Sequence, residues 1–226
     1  MTLNLPKPIL YLITRGATNE ATTPDREEFR GILDQVSAAV SAGVQLIQIR
    51  EKQLTAQVLF ELTVRVVAVA RGSSTRVLVN DRADIAAGAG ADGVHLTTRS
   101  VAPDVIRKSF GAKFLIGVST HSPAELKLAR EQGADFAVFG PIFATSSKEK
   151  YGAPLGPEKL SEAVHGLPSF PLIALGGISL ANANECLRAG ASGIAGITLF
   201  GGLATLGKTV ETINEIAKTD LRRSAQ

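Results

Sequence analysis

The sequence predicts an α/β fold, a parallel (β/α)8 barrel forming a single domain over residues 1–226. Three observations carry that expectation. Short apolar runs alternate with longer segments of helical periodicity eight times along the chain. The connections between them are short and draw on 22 glycines, as tight strand–helix junctions require. No Gly-x-Gly-x-x-Gly follows the first apolar run, which argues against an open doubly wound sheet. A chain of 226 residues accommodates one large domain with a substantial core, and no linker or composition shift divides it.

The elements follow in order. Ile9-Leu-Tyr-Leu-Ile13 reads as a buried strand. Helical spacing over residues 27–42 places Phe29, Ile32, Leu33, Val36, Ala39 and Val40 on one face, with Gly43 as the stop. A strand over residues 44–49 ends at Arg50-Glu51-Lys52, a helix covers residues 56–71, and a strand over residues 76–79 ends in Asn80-Asp81. A short helix over residues 83–88 leads to Gly93-Val-His-Leu96 and the polar Thr97-Thr-Arg-Ser100. A helix over residues 104–110 precedes a strand over residues 114–118 that ends at Ser119-Thr-His121. Ser122-Pro-Ala-Glu125 has the pattern of a capping box for a helix to residue 132. Phe136-Ala-Val-Phe139 then breaks at Gly140-Pro141, and a helix follows near residues 157–164. A strand over residues 171–175 ends in Gly176-Gly177, and a helix over residues 181–189 stops at Gly190. The last strand covers residues 193–197, the last helix residues 206–218, and residues 220–226 read as a frayed tail.

Composition excludes several classes of function. The net charge is only +3, there is no basic run, aromatic residues make up 5% and tryptophan is absent, so stacked nucleic-acid recognition has no support. A single cysteine, Cys186, rules out an intrachain disulfide and fits a reducing compartment. No stretch has the apolar length of a membrane span, and Met1–Pro8 lacks a signal peptide's apolar core. The expectation is a soluble cytoplasmic protein with neither membrane nor nucleic-acid partners.

The polar clusters recur at the C-terminal ends of the strands, which meet at one rim in a barrel. That rim collects Arg50, Lys52, Asn80, Asp81, Ser100, Ser119, His121, Thr145, Ser147, Lys148, Gly177 and Thr198. Arg50, Lys52 and Lys148 beside several hydroxyls imply an anionic ligand, one with more than a single phosphate. Gly176-Gly177 and the last strand fall where such barrels bind phosphate through backbone N–H groups and a helix N-terminus. Structural alternatives stand beside these readings. Asp81 can serve as a helix cap, Arg50–Lys52 as a solvated strand end, His95 as a satisfied core histidine and Cys186 as packing. His165 reads as a surface residue, whereas His121 directly follows a strand end and has the pKa range for proton transfer.

These segments, in this order, resemble the thiamine phosphate synthase family, which also contains the thiazole tautomerases. The matching motifs are Gln48-Ile-Arg-Glu-Lys52, Asn80-Asp81, Gly93-Val-His-Leu96, Gly117-Val-Ser-Thr-His-Ser122, Gly140-Pro-Ile-Phe143 with Thr145-Ser-Ser-Lys148, and Ala174-Leu-Gly-Gly-Ile178. The resemblance implies a TIM barrel that joins hydroxymethylpyrimidine diphosphate to thiazole phosphate with release of diphosphate. By position, Gln48, Arg50, Lys52, Asn80, Ser119 and Lys148 would hold the pyrimidine diphosphate, and Asp81 would be a Mg2+ ligand. Thr145, Ser147, Gly177, Ile197 and Thr198 would line the thiazole phosphate site, with Arg50, Lys52 and Lys148 stabilising the departing anion. Family barrels often form dimers, so a homodimer is compatible with the resemblance.

The chain departs from the synthase pattern at Thr97-Thr-Arg-Ser100, where synthases carry an acidic segment. Ser100 stands in place of their second magnesium-ligating aspartate, which predicts weakened Mg2+ binding. Thr198 replaces the usual serine and keeps the hydroxyl. The tautomerase branch lacks that acidic segment too and would use His121 as acid and base without metal. A non-catalytic barrel that retains the phosphate pocket is the third alternative.

Overall fold

In the computed structural model, which describes residue 3, residues 5–145 and residues 153–224, eight parallel strands close into a barrel. The elements are β1 (Ile9–Ile13), α1 (Glu27–Ser41), β2 (Leu46–Ile49), α2 (Ala56–Ala70), β3 (Arg76–Asn80), α3 (Ala83–Gly88), β4 (Gly93–Leu96) and α4 (Pro103–Phe110). They continue as β5 (Leu115–Thr120), α5 (Pro123–Glu131), β6 (Phe136–Phe139), α6 (Gly156–Gly166), β7 (Leu172–Ala174), α7 (Ala183–Arg188), β8 (Gly193–Gly196) and α8 (Leu206–Ser224), with a 3-10 turn at Leu203–Thr205. Each strand pairs with its sequence neighbours, and β8 closes on β1 with Tyr11 opposite Ala195.

The strands are apolar in continuous runs because both faces are covered. One face points into the barrel, where Tyr11, Leu46, Leu78, Phe136, Val138, Ile173 and Ala195 fill the interior. The alternate residues, among them Leu10, Leu12, Ile47, Ile49, Val77, Val79, Ile116 and Val118, pack outward against Phe29, Val36, Leu62 and Val66 of the helices. Gln48, Asn80, His95 and Ser119 share the inward parity at the upper end of the lumen, so strand alternation alone aims them at one space.

The opposite rim is fastened by side chains that accept strand-end amides. Asp92 accepts from Val77 N at 2.8 Å, Asp135 from Ile116 N at 2.8 Å, and Gln45 from Leu10 N at 2.8 Å. Arg107 locks Asp135 in turn, at 2.7 Å, and donates to the carbonyls of Phe114 and Gly133. Gln45 therefore stands outside β2, which begins two residues later than its apolar pattern predicts.

Two further boundaries correct the sequence-based expectation. β5 extends through Ser119 and Thr120, so these polar residues belong to the strand rather than the loop after it. α8 runs to Ser224, so residues 220–224 continue the helix instead of fraying, as the good helix formers Lys218, Leu221 and Arg222 permit. At α5, Ser122 accepts from Glu125 N at 3.2 Å, as a cap should, but Glu125 reaches back to His121 N at 2.5 Å, one residue before the expected partner.

Candidate active site

A chain of polar side chains crosses the rim from β2 to β4. Gln48, at the upper end of β2 and almost fully buried, donates from Nε2 to Asn80 Oδ1 at 3.0 Å. Asn80 donates from Nδ2 to Asp81 Oδ2 at 3.0 Å, and Ser100 Oγ donates to Asp81 Oδ1. The donors converge on the Asp81 carboxylate from both sides, Asn80 on one oxygen and Ser100 on the other, and hold it in place.

Asp81 does not cap α3. Its backbone sits at φ 59°, the left-handed region, and Arg82 occupies the N-cap position with no side-chain cap bond. Aspartate tolerates this conformation better than most residues, yet it costs about 1 kcal/mol, and such strain gathers at functional positions. The Asp81 amide donates to His95 O at 3.0 Å, so the β3–β4 pairing enforces the turn.

The Asp81 carboxylate acts on Lys52, as do two further cations. The Lys52 ammonium is shifted below the usual lysine range, first by partial loss of water and then by the neighbouring charges of Arg50 and Arg99, while Asp81 opposes the shift. Those causes place Arg50, Lys52, Arg99 and Asp81 in one electrostatic neighbourhood. A cleft of about 240 Å³ opens there, lined by Lys52, Asn80, Asp81 and Arg82. Arg50 is half-buried, its amide held by Thr14 Oγ1 at 2.8 Å, so the start of this segment is anchored to the end of β1.

Two nearby acids are engaged elsewhere. Glu51 is 2% exposed and accepts from Gly16 N, Thr18 N and Thr18 Oγ1, tying the β1–α1 loop to the end of β2. Asp84 is held by Arg82 at 2.6 Å on the surface. Glu51 is therefore a loop anchor rather than part of a solvated strand end.

The other half of the rim is built from the loops after β5 to β8. The β6 and β7 loops continue pairing beyond their strands, with Ile142 N donating to Leu175 O and Phe143 N to Gly176 O, both at 2.9 Å. This lacing brings Gly177 against the backbone just before Thr145: a Cβ on Gly177 would lie 2.4 Å from Ala144 O. Asn182 Nδ2 donates to Gly177 O at 3.0 Å and pins the same turn. Ile197 and Thr198 follow β8, whose Ile194 lies opposite Ala174, so they stand level with Gly177. Ser119 points inward from β5, and its Oγ lies 2.9 Å from His95 Nε2. His121 sits one step beyond β5, with Nδ1 against the Gly140 carbonyl at 2.5 Å, so that nitrogen carries the proton. Ser147 and Lys148 lie outside the described residues.

Thus Gln48, Asn80 and Ser119, at the C-terminal ends of their strands, and Arg50, Lys52, Asp81, Thr145, Gly177, Ile197 and Thr198, in the segments that follow strands, lie toward one rim, as the order of elements predicts. His95 is a buried core histidine as expected, His165 is on the surface against Ser161, and Cys186 is buried, its thiol pushed up to about 12 by loss of water. The sequence reading missed Arg15, which follows β1 and donates to Gly201 O at 3.2 Å, bringing another cation beside the β8 loop. Its signal was present: it is a basic residue two positions after a buried strand.

Comparison with known proteins agrees with this arrangement. The family model described as thiamine monophosphate synthase matches residues 10–200. A thiamine-phosphate synthase from Chlorobium luteolum is 41% identical over 197 residues, covering 87% of each chain. Another from Chlorobium phaeobacteroides is 37% identical over 212 residues, covering 94% of this chain and 97% of the relative. A solved structure of thiamine phosphate pyrophosphorylase from Pyrococcus furiosus superposes with a TM-score of 0.77 at 28% identity, over 93% of this chain and 95% of that one.

Proposed function

The chain belongs to the thiamine monophosphate synthase family, and from that premise we propose that it is a thiamine-phosphate synthase. The enzyme joins hydroxymethylpyrimidine diphosphate to thiazole phosphate: the bond from the pyrimidine methylene to the diphosphate oxygen breaks, and a bond to the thiazole nitrogen forms. The products are thiamine phosphate and diphosphate. The observation that supports this reading most is the gathering of Arg50, Arg99 and the strained Asp81 about Lys52. A diphosphate gains negative charge as it leaves, and cations gathered at that position stabilise the charge.

In this reading Gln48, Asn80 and Ser119 orient the pyrimidine diphosphate, and Arg50, Lys52 and Lys148 hold its phosphates. Thr145, Ser147, Gly177, Ile197 and Thr198 line the thiazole phosphate site, with the nitrogen directed across the lumen. Little proton transfer is needed, so His121 has no obligatory role. Neither a thiazole tautomerase nor a non-catalytic barrel is favoured by the relatives.

The donor set around Asp81 is compatible with Mg2+. Among the described residues no three or more His, Cys, Asp or Glu gather as a metal cage. Mg2+ is commonly held by one or two carboxylates together with substrate phosphates, and Asp81 supplies one. When bound, the ion adds positive charge to the leaving diphosphate. Ser100 neutralises the second acidic position, and Arg99 beside it reinforces the anion site.

Diphosphate release by the purified chain, measured with both substrates across a Mg2+ titration, tests the proposal. Turnover that needs Mg2+ and falls at least about a hundredfold in Asp81→Ala is the expected result. No turnover at any Mg2+ concentration overturns it.

A further inference from the structure

Beneath Ser119 lie two buried polar residues, Tyr11 and His95, that the reaction as described does not use. Tyr11, on the inward face of β1 and 0% exposed, places its hydroxyl 3.1 Å from His95 Nδ1. His95, on β4 and 2% exposed, places Nε2 2.9 Å from Ser119 Oγ. The three residues therefore run from the sealed barrel interior to the hydroxyl that faces the ligand. Their rings are clamped: Tyr11 and His95 each pack on Phe136, with centroids 5.7 and 6.1 Å away. Gly117 makes the space, because a Cβ there would sit 2.8 Å from His95 Nδ1 and 2.3 Å from the Phe136 ring.

Such a row admits two directions of hydrogen bonding, and burial decides between them. Among the described residues, the hydrogen-bond partner of the Tyr11 hydroxyl is His95 Nδ1. Loss of water pushes the phenol's pKa well above its usual value, so Tyr11 keeps its proton. If His95 carried its proton on Nδ1, that N–H would donate to the phenol oxygen and the Tyr11 O–H would be left a buried donor with no acceptor among the described residues, which is strongly disfavoured. With Tyr11 donating, Nδ1 accepts, Nε2–H donates to Ser119 Oγ, and the serine's own O–H is released for the lumen.

We propose that Tyr11 and His95 are positioning residues that set the polarity of Ser119, turning its hydroxyl proton toward the diphosphate rather than back into the barrel. The inference rests on the proposed role of Ser119 in holding that group. A serine that already donates to His95 would meet the anion with lone pairs instead. The relay makes Ser119 an obligate donor before substrate arrives, so no rotation of the hydroxyl accompanies binding.

Two measurements on the full chain test it. In protein labelled with 15N-histidine, a long-range 1H–15N spectrum reads the tautomer of each of the three histidines, and the His95 signal is assigned from its loss in His95→Gln. The expected result is Nε2–H in the wild-type protein, with loss of that single tautomer in Tyr11→Phe. Nδ1–H in the wild-type protein overturns the proposal. This arm needs no substrate, so it stands even if the synthase reading fails for want of turnover.

The second arm is diphosphate release in wild-type, Tyr11→Phe, Ser119→Ala and double-variant proteins. Tyr11→Phe is expected to lower kcat about tenfold and to add nothing once Ser119 is alanine. The same loss in both backgrounds shows that Tyr11 acts on packing alone and overturns the relay. Should Tyr11→Phe not fold, the His95 position carries the test. Glutamine accepts with its carbonyl and donates with its amide, so His95→Gln should keep kcat within about threefold, while His95→Leu loses about tenfold. Equal losses in the two variants overturn the proposal.

Discussion

Gly177→Ala separates backbone strain from steric clash and reads both through the proposed thiazole phosphate site. Gly177 has φ +64°, and an added Cβ would stand 2.4 Å from Ala144 O and 2.8 Å from the Phe143 carbonyl carbon and Cβ. The first contact must lengthen by about 0.6 Å to reach even the 3.0 Å that real Cβ atoms observe. The atoms in the way are backbone, laced to the β7 loop by the Phe143 N to Gly176 O bond, so they cannot swing aside. Placing alanine in the left-handed region costs about 1–2 kcal/mol, and forcing a packed segment apart costs about 1–3 kcal/mol more. At about 2–4 °C per kcal/mol for a chain of this size, Tm should fall by about 4–20 °C. Thr145 follows the displaced segment, so KM for thiazole phosphate should rise about 10- to 100-fold. Gly43→Ala is the control: its φ is +80°, but nothing lies within 4 Å of an added Cβ. That variant should lose only the conformational part, about 2–8 °C, with KM unchanged. Differential scanning calorimetry and steady-state kinetics on both variants decide the matter. Equal Tm losses for the two, with wild-type KM in Gly177→Ala, would refute the account of how this turn is held.

Three further outcomes follow from the geometry. Because the Lys52 pKa is lowered, its ammonium is lost at a lower pH than an ordinary lysine's. The affinity for inorganic diphosphate, measured by calorimetry, should therefore decline as pH rises through the alkaline range, whereas Lys52→Arg, which stays charged, should show a flatter profile. Arg107→Ala removes the guanidinium that holds nearly buried Asp135 at the rim opposite the site. It should reduce urea stability by about 3–5 kcal/mol while leaving kcat intact. The Cys186 thiol, raised to about 12 by burial, should resist a disulfide reagent at neutral pH and react only when the chain is unfolded.

Much of this architecture is legible one segment at a time. β1, α3, β4 and β6 coincide with their expected bounds, because each is an uninterrupted apolar run or helical face ended by glycine or a polar residue. Eight alternations imply the barrel, and a closed barrel puts every strand's C-terminal end on one rim, so which residues share that rim follows from order alone. The family resemblance adds the substrate chemistry, and the matching relatives agree with it.

Roles that depend on partners distant in sequence were not legible. Glu51 reads as a solvated charge beside Arg50 and Lys52, yet three donors from the β1–α1 loop make it a buried anchor. Asp81 reads equally as a cap, and only its left-handed backbone and its bonds to Asn80 and Ser100 remove that reading. Ser119 reads as a loop hydroxyl, but strand pairing carries β5 past it and sets it above His95. Local sequence therefore determined which elements form, since periodicity and propensity act within a few residues. Tertiary structure decided what each polar side chain does, because a hydrogen bond requires a partner within about 3 Å, and here that partner is supplied by a neighbouring strand tens of residues away.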